Sequence, residues 1–288
     1  MSLAVNRLNT LYSKLIRVNN GFLPQYKFYC SNNKENPPPA PGDKGFLSKI
    51  FYGQSLSSDG TEQQSHSSLL SDNGKIYEIV FHRTRCGEMD SYMKAYKNYV
   101  GVVEKFNPNV ELLGSWNIIY GDQDQAVHLW KYDNGFEDVD KMINVSVTNN
   151  EFKAASNEVG KMCSRRKAIL TRAFSYWGDP TPRDGNHIYD MRRYILKPGT
   201  VLEWGNAWAK GINYRKDFNQ NVCGFFTQVG QLYVVYHFWA YEGMSGRNDI
   251  RKRTWSKPGW DQTVSYTVPL LREMKSQIMV PTELSKLK

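Results

Sequence analysis

The sequence predicts an α+β protein built from two tandem copies of one small domain. Three observations lead to this prediction: an internal repeat, strand and helix patterns that recur in the same order in both copies, and an N-terminal portion of different composition. The chain has 288 residues, of which 40% are hydrophobic and 14% aromatic. That length and composition are sufficient for two ordinary domains with substantial cores.

The repeat consists of matched motifs at nearly constant spacing. Ile76–Ile79 corresponds to Ile188–Met191, and His128–Tyr132 corresponds to His237–Tyr241. The offset between the copies drifts only from 112 residues at Ile188 to 108 at Trp260. Further matched pairs are Gly87 and Gly199, Tyr92 and Trp204, Tyr96 and Trp208, Gly114 and Gly224, and Phe152 and Trp260. Because the matched motifs occur in the same order in both halves of the chain, duplication of one domain explains them better than chance does.

Each copy has the pattern strand, helix, strand, strand, helix, strand, which is the order of a ferredoxin-like unit. In the first strand Tyr77 and Ile79 alternate with Glu78, so the two kinds of side chain face opposite sides of a sheet. One such unit leaves an apolar sheet face uncovered. We therefore expect two repeats, residues 75–180 and 181–288, packed sheet to sheet as a pseudo-twofold barrel or sandwich, either within one chain or between two.

The N-terminal portion predicts a mitochondrial targeting peptide over residues 1–30. No Asp or Glu occurs before Glu35, and Leu8, Leu11 and Leu15 form one stripe of a basic amphipathic helix. Residues 31–74, which include consecutive prolines and a stretch rich in Ser, Gln and Gly, predict a flexible linker. The cleavage position is not defined by the sequence.

Composition argues against several classes of function. The net charge is +9, but five of the positive charges precede Glu35, so the rest of the chain is only mildly basic. Cys223–Phe226 lacks the basic residue of an RNA-recognition strand, and we expect no nucleic-acid partner. His82 and Cys86 have no further ligands nearby, so we expect no metal. The sequence contains no apolar run of about twenty residues, so we expect no transmembrane helix.

The second copy resembles the NIPSNAP family of mitochondrial proteins. The resemblance rests on Tyr189–Gly199, Glu203–Asn206, the glycine-aromatic strand from Gly224, His237–Tyr241, Trp255, Pro258–Asp261 and Tyr266–Pro269. Within the first, Asp190 stands where the family usually has Glu. The resemblance implies a dimeric α+β barrel and residence in mitochondria, in the matrix after import and on the outer surface after depolarisation. It also implies that autophagy receptors and ubiquitin-like autophagy modifiers are partners, and that the chain forms homo- or hetero-oligomers with related proteins. It implies no known catalytic residues and no cofactor.

Two functional hypotheses follow. The first is a non-enzymatic adaptor in mitochondrial quality control, for which Phe136-Glu137-Asp138-Val139 has the aromatic-x-x-aliphatic form of a segment that adds a strand to a ubiquitin-like modifier. The same four residues also fit an ordinary helix or loop start. The second hypothesis is a small-molecule or haem-binding, monooxygenase-like enzyme, because some dimeric α+β barrels have such activities.

The candidate pocket for the second hypothesis consists of Arg192, Trp204, Trp208, His237, Trp239, Trp255 and Trp260. The tryptophans fall at helical and strand spacing, so core packing is the simpler explanation for them. His237 has the chemistry of an acid–base group or haem ligand. Because His128 occupies the matching place in the first copy, a structural role such as bonding across the sheet is favoured. Arg192 is suited either to binding an anion or to pairing with Asp190 or Glu203, and pairing is the simpler expectation.

Overall fold

The computed structural model describes residues 70, 71 and 73–288, so the predicted targeting peptide and most of the predicted linker lie outside the described residues. The first repeat comprises β1 (Ile76–Thr84), α1 (Met89–Phe106), β2 (Val110–Tyr120), β3 (Gln125–Tyr132), α2 (Phe136–Thr148), α3 (Asn150–Lys161) and β4 (Cys163–Ala173). The second comprises β5 (Ile188–Leu196), α4 (Val201–Gly211), β6 (Asn221–Val229), β7 (Val234–Tyr241), α5 (Met244–Trp255), α6 (Trp260–Thr267) and β8 (Leu271–Pro281).

The eight strands form one closed antiparallel barrel in the order β1-β3-β2-β8-β5-β7-β6-β4. Each repeat contributes four consecutive strands, in the ferredoxin-like order that the sequence predicts. Two junctions between the repeats close the ring: β2 pairs with β8, where Trp116 is opposite Pro281, and β4 pairs with β6, where Thr171 is opposite Thr227. The predicted fold class is therefore confirmed, and the expected sheet-to-sheet packing takes the form of a barrel closed within a single chain.

Side-chain alternation separates a barrel interior from two outer layers. Tyr77 and Ile79 point inward and are completely buried, and Tyr189 is equally buried in the second repeat. Trp116 lies between the two repeats, with its ring centroid 5.2 Å from Tyr189 and 5.5 Å from Phe238. Large aromatic side chains in direct contact supply most of the apolar area that a core buries, so both repeats contribute to one shared interior.

The helices cover the outer face of the sheet. Gly87 and Gly199 both have positive φ, 82° and 84°, and each turn leads directly into a helix. In α1 the buried residues include Tyr92 and Tyr96, spaced i, i+4, and their side chains face β1 and β3. The matching helix α4 buries tryptophans at the same spacing. Each repeat thus has its own aromatic layer between sheet and helices.

The C-terminal residues complete one end of the barrel. Leu287 is 1% exposed and belongs to the shared interior, while the Lys286 backbone N–H donates to the Leu113 carbonyl of β2 at 3.0 Å. Arg183, from the connection between the repeats, forms an isolated bridge with Leu287. The segment after β8 therefore ties the second repeat to both the first repeat and the connection.

Two details differ from the sequence-based expectations. Ser115 is opposite His128, whereas Gly224 is opposite His237, so Ser115 rather than Gly114 is the counterpart of Gly224. Irregular register in β2 and β6 shifts the matched positions by one residue. Leu70, at the end of the predicted linker, is 3% exposed and packs into the helix-side core of the second repeat.

Candidate functional site

Each repeat has a cavity, open to the surface, between the outer sheet face and its helices, at equivalent places in the two halves. The cavity of the first repeat measures about 480 Å³ and that of the second about 150 Å³. Phe152 lines the first and its counterpart Trp260 lines the second. We call them the first cavity and the second cavity. The residues around the two cavities differ greatly in chemistry. The two matched histidines, which lie next to the cavities, are the first example.

His128, beside the first cavity, belongs to a continuous chain of hydrogen bonds. Its Nε2 lies 2.7 Å from the Tyr92 hydroxyl, which lies 2.8 Å from Nδ1 of His82. On the other side, His128 Nδ1 is 3.1 Å from Ser115 Oγ, to which the Thr282 hydroxyl donates at 2.6 Å. With both histidines neutral, every hydroxyl can donate to the next group in one direction, so all members are satisfied.

His237 has the same position in the second repeat but none of these bonds. The residue is completely buried, and neither ring nitrogen has a hydrogen-bond partner. Trp204 replaces the bonding tyrosine of the first repeat, and Gly224 replaces Ser115. A Cβ on Gly224 would lie 2.4 Å from Cε3 of Trp177, so the absence of a side chain there admits that indole. The expected bonding across the sheet thus holds for His128 and is wrong for His237.

Five aromatic rings surround the imidazole of His237. Their centroids lie 4.3 to 6.0 Å from it. The rings belong to Trp177, Tyr194, Trp204, Trp208 and Trp239. Burial, with a smaller contribution from the nearby Arg192 and Arg215 cations, holds the pKa of His237 well below its ordinary value. The ring is therefore neutral at physiological pH.

The structure brings the seven residues of the predicted pocket into one cluster. Five of them line the second cavity: Arg192, Trp204, Trp208, Trp255 and Trp260. The other two, His237 and Trp239, lie behind that wall and do not line the cavity. Trp204 and Trp208 line the cavity and also contact the His237 ring. Their rings separate His237 from a molecule in the cavity in this conformation. Whether the cluster binds a ligand remains a prediction.

Arg192 forms the pair that the sequence favours, with Asp190 rather than Glu203. Its Nε lies 3.1 Å from Asp190 Oδ2, and Nε of Arg247 approaches the same oxygen at 2.9 Å. The Ser276 hydroxyl donates to the other oxygen at 2.6 Å. Burial opposes ionisation of this carboxyl, but Arg192, Ser276 and Arg247 together keep the pKa of Asp190 below its ordinary value.

The first cavity is larger, and the sequence reading overlooked it. Glu78 and His82 project into it from β1, and the Tyr132 hydroxyl donates to the Glu78 carboxylate at 2.6 Å. Burial raises the pKa of Glu78, and the hydrogen bond from Tyr132 partly offsets this. Burial, with a smaller contribution from Arg166, lowers the pKa of His82 to about 4. The available signal was Glu78 itself, a carboxylate within an apolar strand.

The proposed partner motif forms the first turn of α2. Phe136 is 42% exposed, whereas Asp138 and Val139 are 3% and 8% exposed. The Asp138 carboxylate accepts from the Asn134 backbone N–H at 2.8 Å and from the Asn107 amide at 3.2 Å. To add as a strand to another protein, this turn would have to unwind, because helical backbone dihedrals cannot pair with a strand and the carbonyls of a first helical turn already accept intrahelical hydrogen bonds. Its binding role remains a prediction.

Two further observations concern residues 70, 71 and 73–288 alone. No three His, Cys, Asp or Glu side chains within these ranges are grouped closely enough to hold a metal ion. None of the helices described there has the length and apolar character needed to span a bilayer.

The geometry defines the class: an α+β barrel made of two ferredoxin-like repeats, with a cavity beneath the helices of each. A crystal structure of a candidate monooxygenase from Lactobacillus acidophilus has the same fold, with a TM-score of 0.55 over 74% of this chain and 96% of the other, at 10% identity. At that identity the likeness concerns the fold alone.

Sequence comparison identifies the family. The NIPSNAP family profile matches residues 189–286. "Protein NipSnap" of Drosophila melanogaster is 44% identical over 77% of this chain and 82% of its own length. "Putative NipSnap protein K02D10.1" of Caenorhabditis elegans is 49% identical over 93% of this chain, which spans only 51% of that longer protein. The chain belongs to the NipSnap family.

The contrast between the matched histidines leads to a prediction about stability. We expect His128→Leu to reduce the free energy of unfolding by about 1–3 kcal/mol, because it removes two buried hydrogen bonds. The same substitution at His237 removes none and is close in volume, so we expect a change below about 1 kcal/mol or a stabilisation. Urea unfolding of the two variants at pH 7.5 measures both values. Equal losses would contradict the assignment of these environments.

The buried histidines also predict acid sensitivity. The pKa values of His82, His128 and His237 are all lowered in the folded protein, so below their ordinary pKa of about 6.5 the unfolded chain binds more protons. The free energy of unfolding should therefore fall as the pH decreases from about 6.5, by up to ~1.4 kcal/mol per pH unit for each histidine. His237→Leu should reduce that slope by about one proton in urea titrations between pH 6.5 and 5; an unchanged slope refutes this.

Proposed function

We propose that the chain is a mitochondrial interaction protein that acts as an adaptor in mitochondrial quality control. Membership of the NipSnap family and the acid-free basic N-terminus support this proposal. An import signal that depends on membrane potential makes the location of the protein report on the state of the organelle. After import it resides in the matrix; on depolarised mitochondria it stays on the outer surface and recruits autophagy receptors and ubiquitin-like autophagy modifiers.

The observation that carries the proposal is an exposed apolar stripe on α2. Phe136, Ile143 and Val147 fall at i, i+7 and i+11, which places them on one face of the helix. They are 42%, 56% and 63% exposed. Large apolar side chains grouped on one exposed helix face favour a protein partner over solvent. Glu137 and Asp140 are exposed beside the stripe, which favours a receptor segment with a basic rim and an apolar groove.

This proposal predicts that the double variant Ile143→Asp, Val147→Asp loses receptor recruitment. Both side chains are exposed, so the fold should be retained to within about 0.5 kcal/mol each, while the apolar contact is replaced by charge. The measurement is co-capture of autophagy receptors with the full chain from depolarised cells. Leu232→Asp, which is 55% exposed in the second repeat, is the matched control and should recruit normally. Undiminished capture by the double variant, or equal loss in the control, counts against the stripe.

A second candidate function, a small-molecule-binding and monooxygenase-like protein, is supported by the first cavity. Its volume of about 480 Å³ lies within the range of ligand pockets. Its lining combines aromatic walls, such as Tyr96 and Trp130, with two groups suited to proton transfer. Those groups are Glu78, whose pKa is raised, and the neutral His82, which bonds to the Tyr92 hydroxyl.

Haem does not fit the place that the sequence favoured for it. The second cavity, at about 150 Å³, is below the size of ordinary small-molecule pockets. His237 lies behind Trp204 and Trp208 and cannot reach an iron in that cavity without their displacement. We therefore derive no haem chemistry from His237.

If the first cavity holds a molecule in cells, native mass spectrometry of the full chain should detect it as added mass. Ser146→Trp fills the cavity from α2 and should abolish that mass, whereas Asn144→Trp, on the exposed side of the same helix, should retain it. An apoprotein mass for the native chain, isolated without denaturant, would remove the support for this second function and leave the adaptor proposal untouched.

A further inference from the structure

We propose that the second cavity binds a small organic anion, specifically a carboxylate carried on a single aromatic ring. This inference goes beyond both functions proposed above and depends on neither, because it concerns a different cavity and requires no catalysis. Two independent features carry it: an excess of positive charge among the lining residues and an aromatic lining of matching size.

The charge excess comes from arginines that have too few acidic partners. Arg192, Arg215 and Arg251 line the cavity, and no Asp or Glu is among the described residues that line it. The nearby carboxylate of Asp190 is shared by Arg192 and Arg247. Of these four guanidinium groups, those of Arg192 and Arg247 contact a carboxylate, and those of Arg215 and Arg251 do not. Clustered like charges removed from water are costly unless an opposite charge joins them.

Arg251 is the guanidinium that the protein itself leaves without a partner. It is half-buried on α5 and makes no hydrogen bond or ion pair within the described part of the chain. Burial, together with repulsion from Arg192, Arg247 and Arg215, lowers its pKa. An anion in the cavity would relieve this repulsion and give Arg251 an acceptor.

The lining arginines differ in whether the protein already supplies their acceptors. Arg215 is 3% exposed, and one of its terminal nitrogens donates to Gln220 Oε1 at 2.8 Å and to the Tyr241 hydroxyl at 2.9 Å. Arg251 is therefore the lining guanidinium that is open to a ligand. A carboxylate, which only accepts and offers about four lone-pair positions, matches such a donor.

Size and lining define the rest of the ligand. A cavity of about 150 Å³ is comparable to one that holds benzene in an engineered protein interior. Trp208 and Trp260 supply flat apolar walls, and Trp255, 54% exposed, stands at the rim. An aromatic ring fits these walls, whereas inorganic phosphate would leave them uncovered and a nucleotide would be too large.

The first repeat provides an internal comparison. Val80 occupies the position on β1 that Arg192 occupies on β5, and Tyr92 replaces Trp204 with a hydroxyl that is already bonded to His128. The first cavity therefore lacks the arginine that β5 supplies to the second, and its own cations, Arg166 and Lys167, share the lining with the Glu78 carboxylate. Of the two cavities, the second is the one whose described lining combines several arginines with no carboxylate.

The test is titration of the full chain with benzoate, benzamide and inorganic phosphate, followed by tryptophan fluorescence and calorimetry. Benzoate should bind saturably and at least about tenfold more tightly than either comparison ligand, because only it supplies both the charge and the ring. Arg251→Gln should weaken benzoate binding about tenfold or more. It should melt at the same or a higher temperature than the native chain, since it removes repulsion.

Arg253→Gln is the matched control, because Arg253 is exposed on the same helix and does not line the second cavity. It should bind benzoate as the native chain does. The proposal is overturned if benzoate fails to bind or if benzamide binds equally well. It is likewise overturned if phosphate binds as tightly as benzoate, which would indicate an inorganic anion site, or if Arg251→Gln and Arg253→Gln behave alike. None of these outcomes depends on receptor recruitment or on a ligand in the first cavity.

Discussion

The pairing of strands between the repeats is the interaction on which the rest of the structure depends. Each four-stranded sheet has one face covered by its own helices and another that is apolar, with Tyr77 in the first repeat and Tyr189 in the second. Only the junctions β2–β8 and β4–β6 bring these faces together as one interior. Because the ring has no free edge, neither repeat presents an unpaired strand to solvent. The helix layers, and the cavities beneath them, are positioned by this closed sheet.

The duplicated architecture has allowed the two helix layers to diverge in polarity. In the first, His128 is held by Tyr92 and Ser115 in a satisfied polar chain. In the second, indoles replace the partners and His237 is left without any. A structural histidine needs bonds to offset its burial, so the second layer contains polar groups that its own side chains leave unsatisfied. The same fold therefore supports two chemically distinct compartments.

Much of this arrangement was predictable because it follows from local patterns. The alternation of Tyr77, Glu78 and Ile79 defined the faces of β1, and the stripe of Tyr92 and Tyr96 located α1. The seven pocket residues were proposed by analogy with enzymes of this fold, whereas the helical and strand spacing of their tryptophans indicated core packing. Register is different, since the irregularity near Gly114 arises in the pairing of β2 with β3, and the apolar pattern of β2 does not mark the point at which that pairing skips a residue. That shift concealed the true counterpart of Gly224.

Cavity size and hydrogen-bond satisfaction were equally beyond sequence reasoning. Whether His237 has a partner depends on Trp177, which comes from the connection between the repeats and enters the space above Gly224. The convergence of Arg215 and Arg251 on the second cavity depends on a turn and a helix that belong to separate segments. The first cavity is a space between elements, and no local pattern encodes its volume. Only Glu78, a carboxylate in an apolar strand, pointed to it.

The position of β8 in the ring has a consequence for biosynthesis. Its pairing with β2 joins residues as far apart as Trp116 and Pro281, and Leu287 then fills one end of the interior. The first repeat emerges from the ribosome long before these residues are made, so the barrel cannot close on the nascent chain. Contacts between such distant segments also form slowly. The closed barrel can therefore form only after the last strand and the residues behind it have been made.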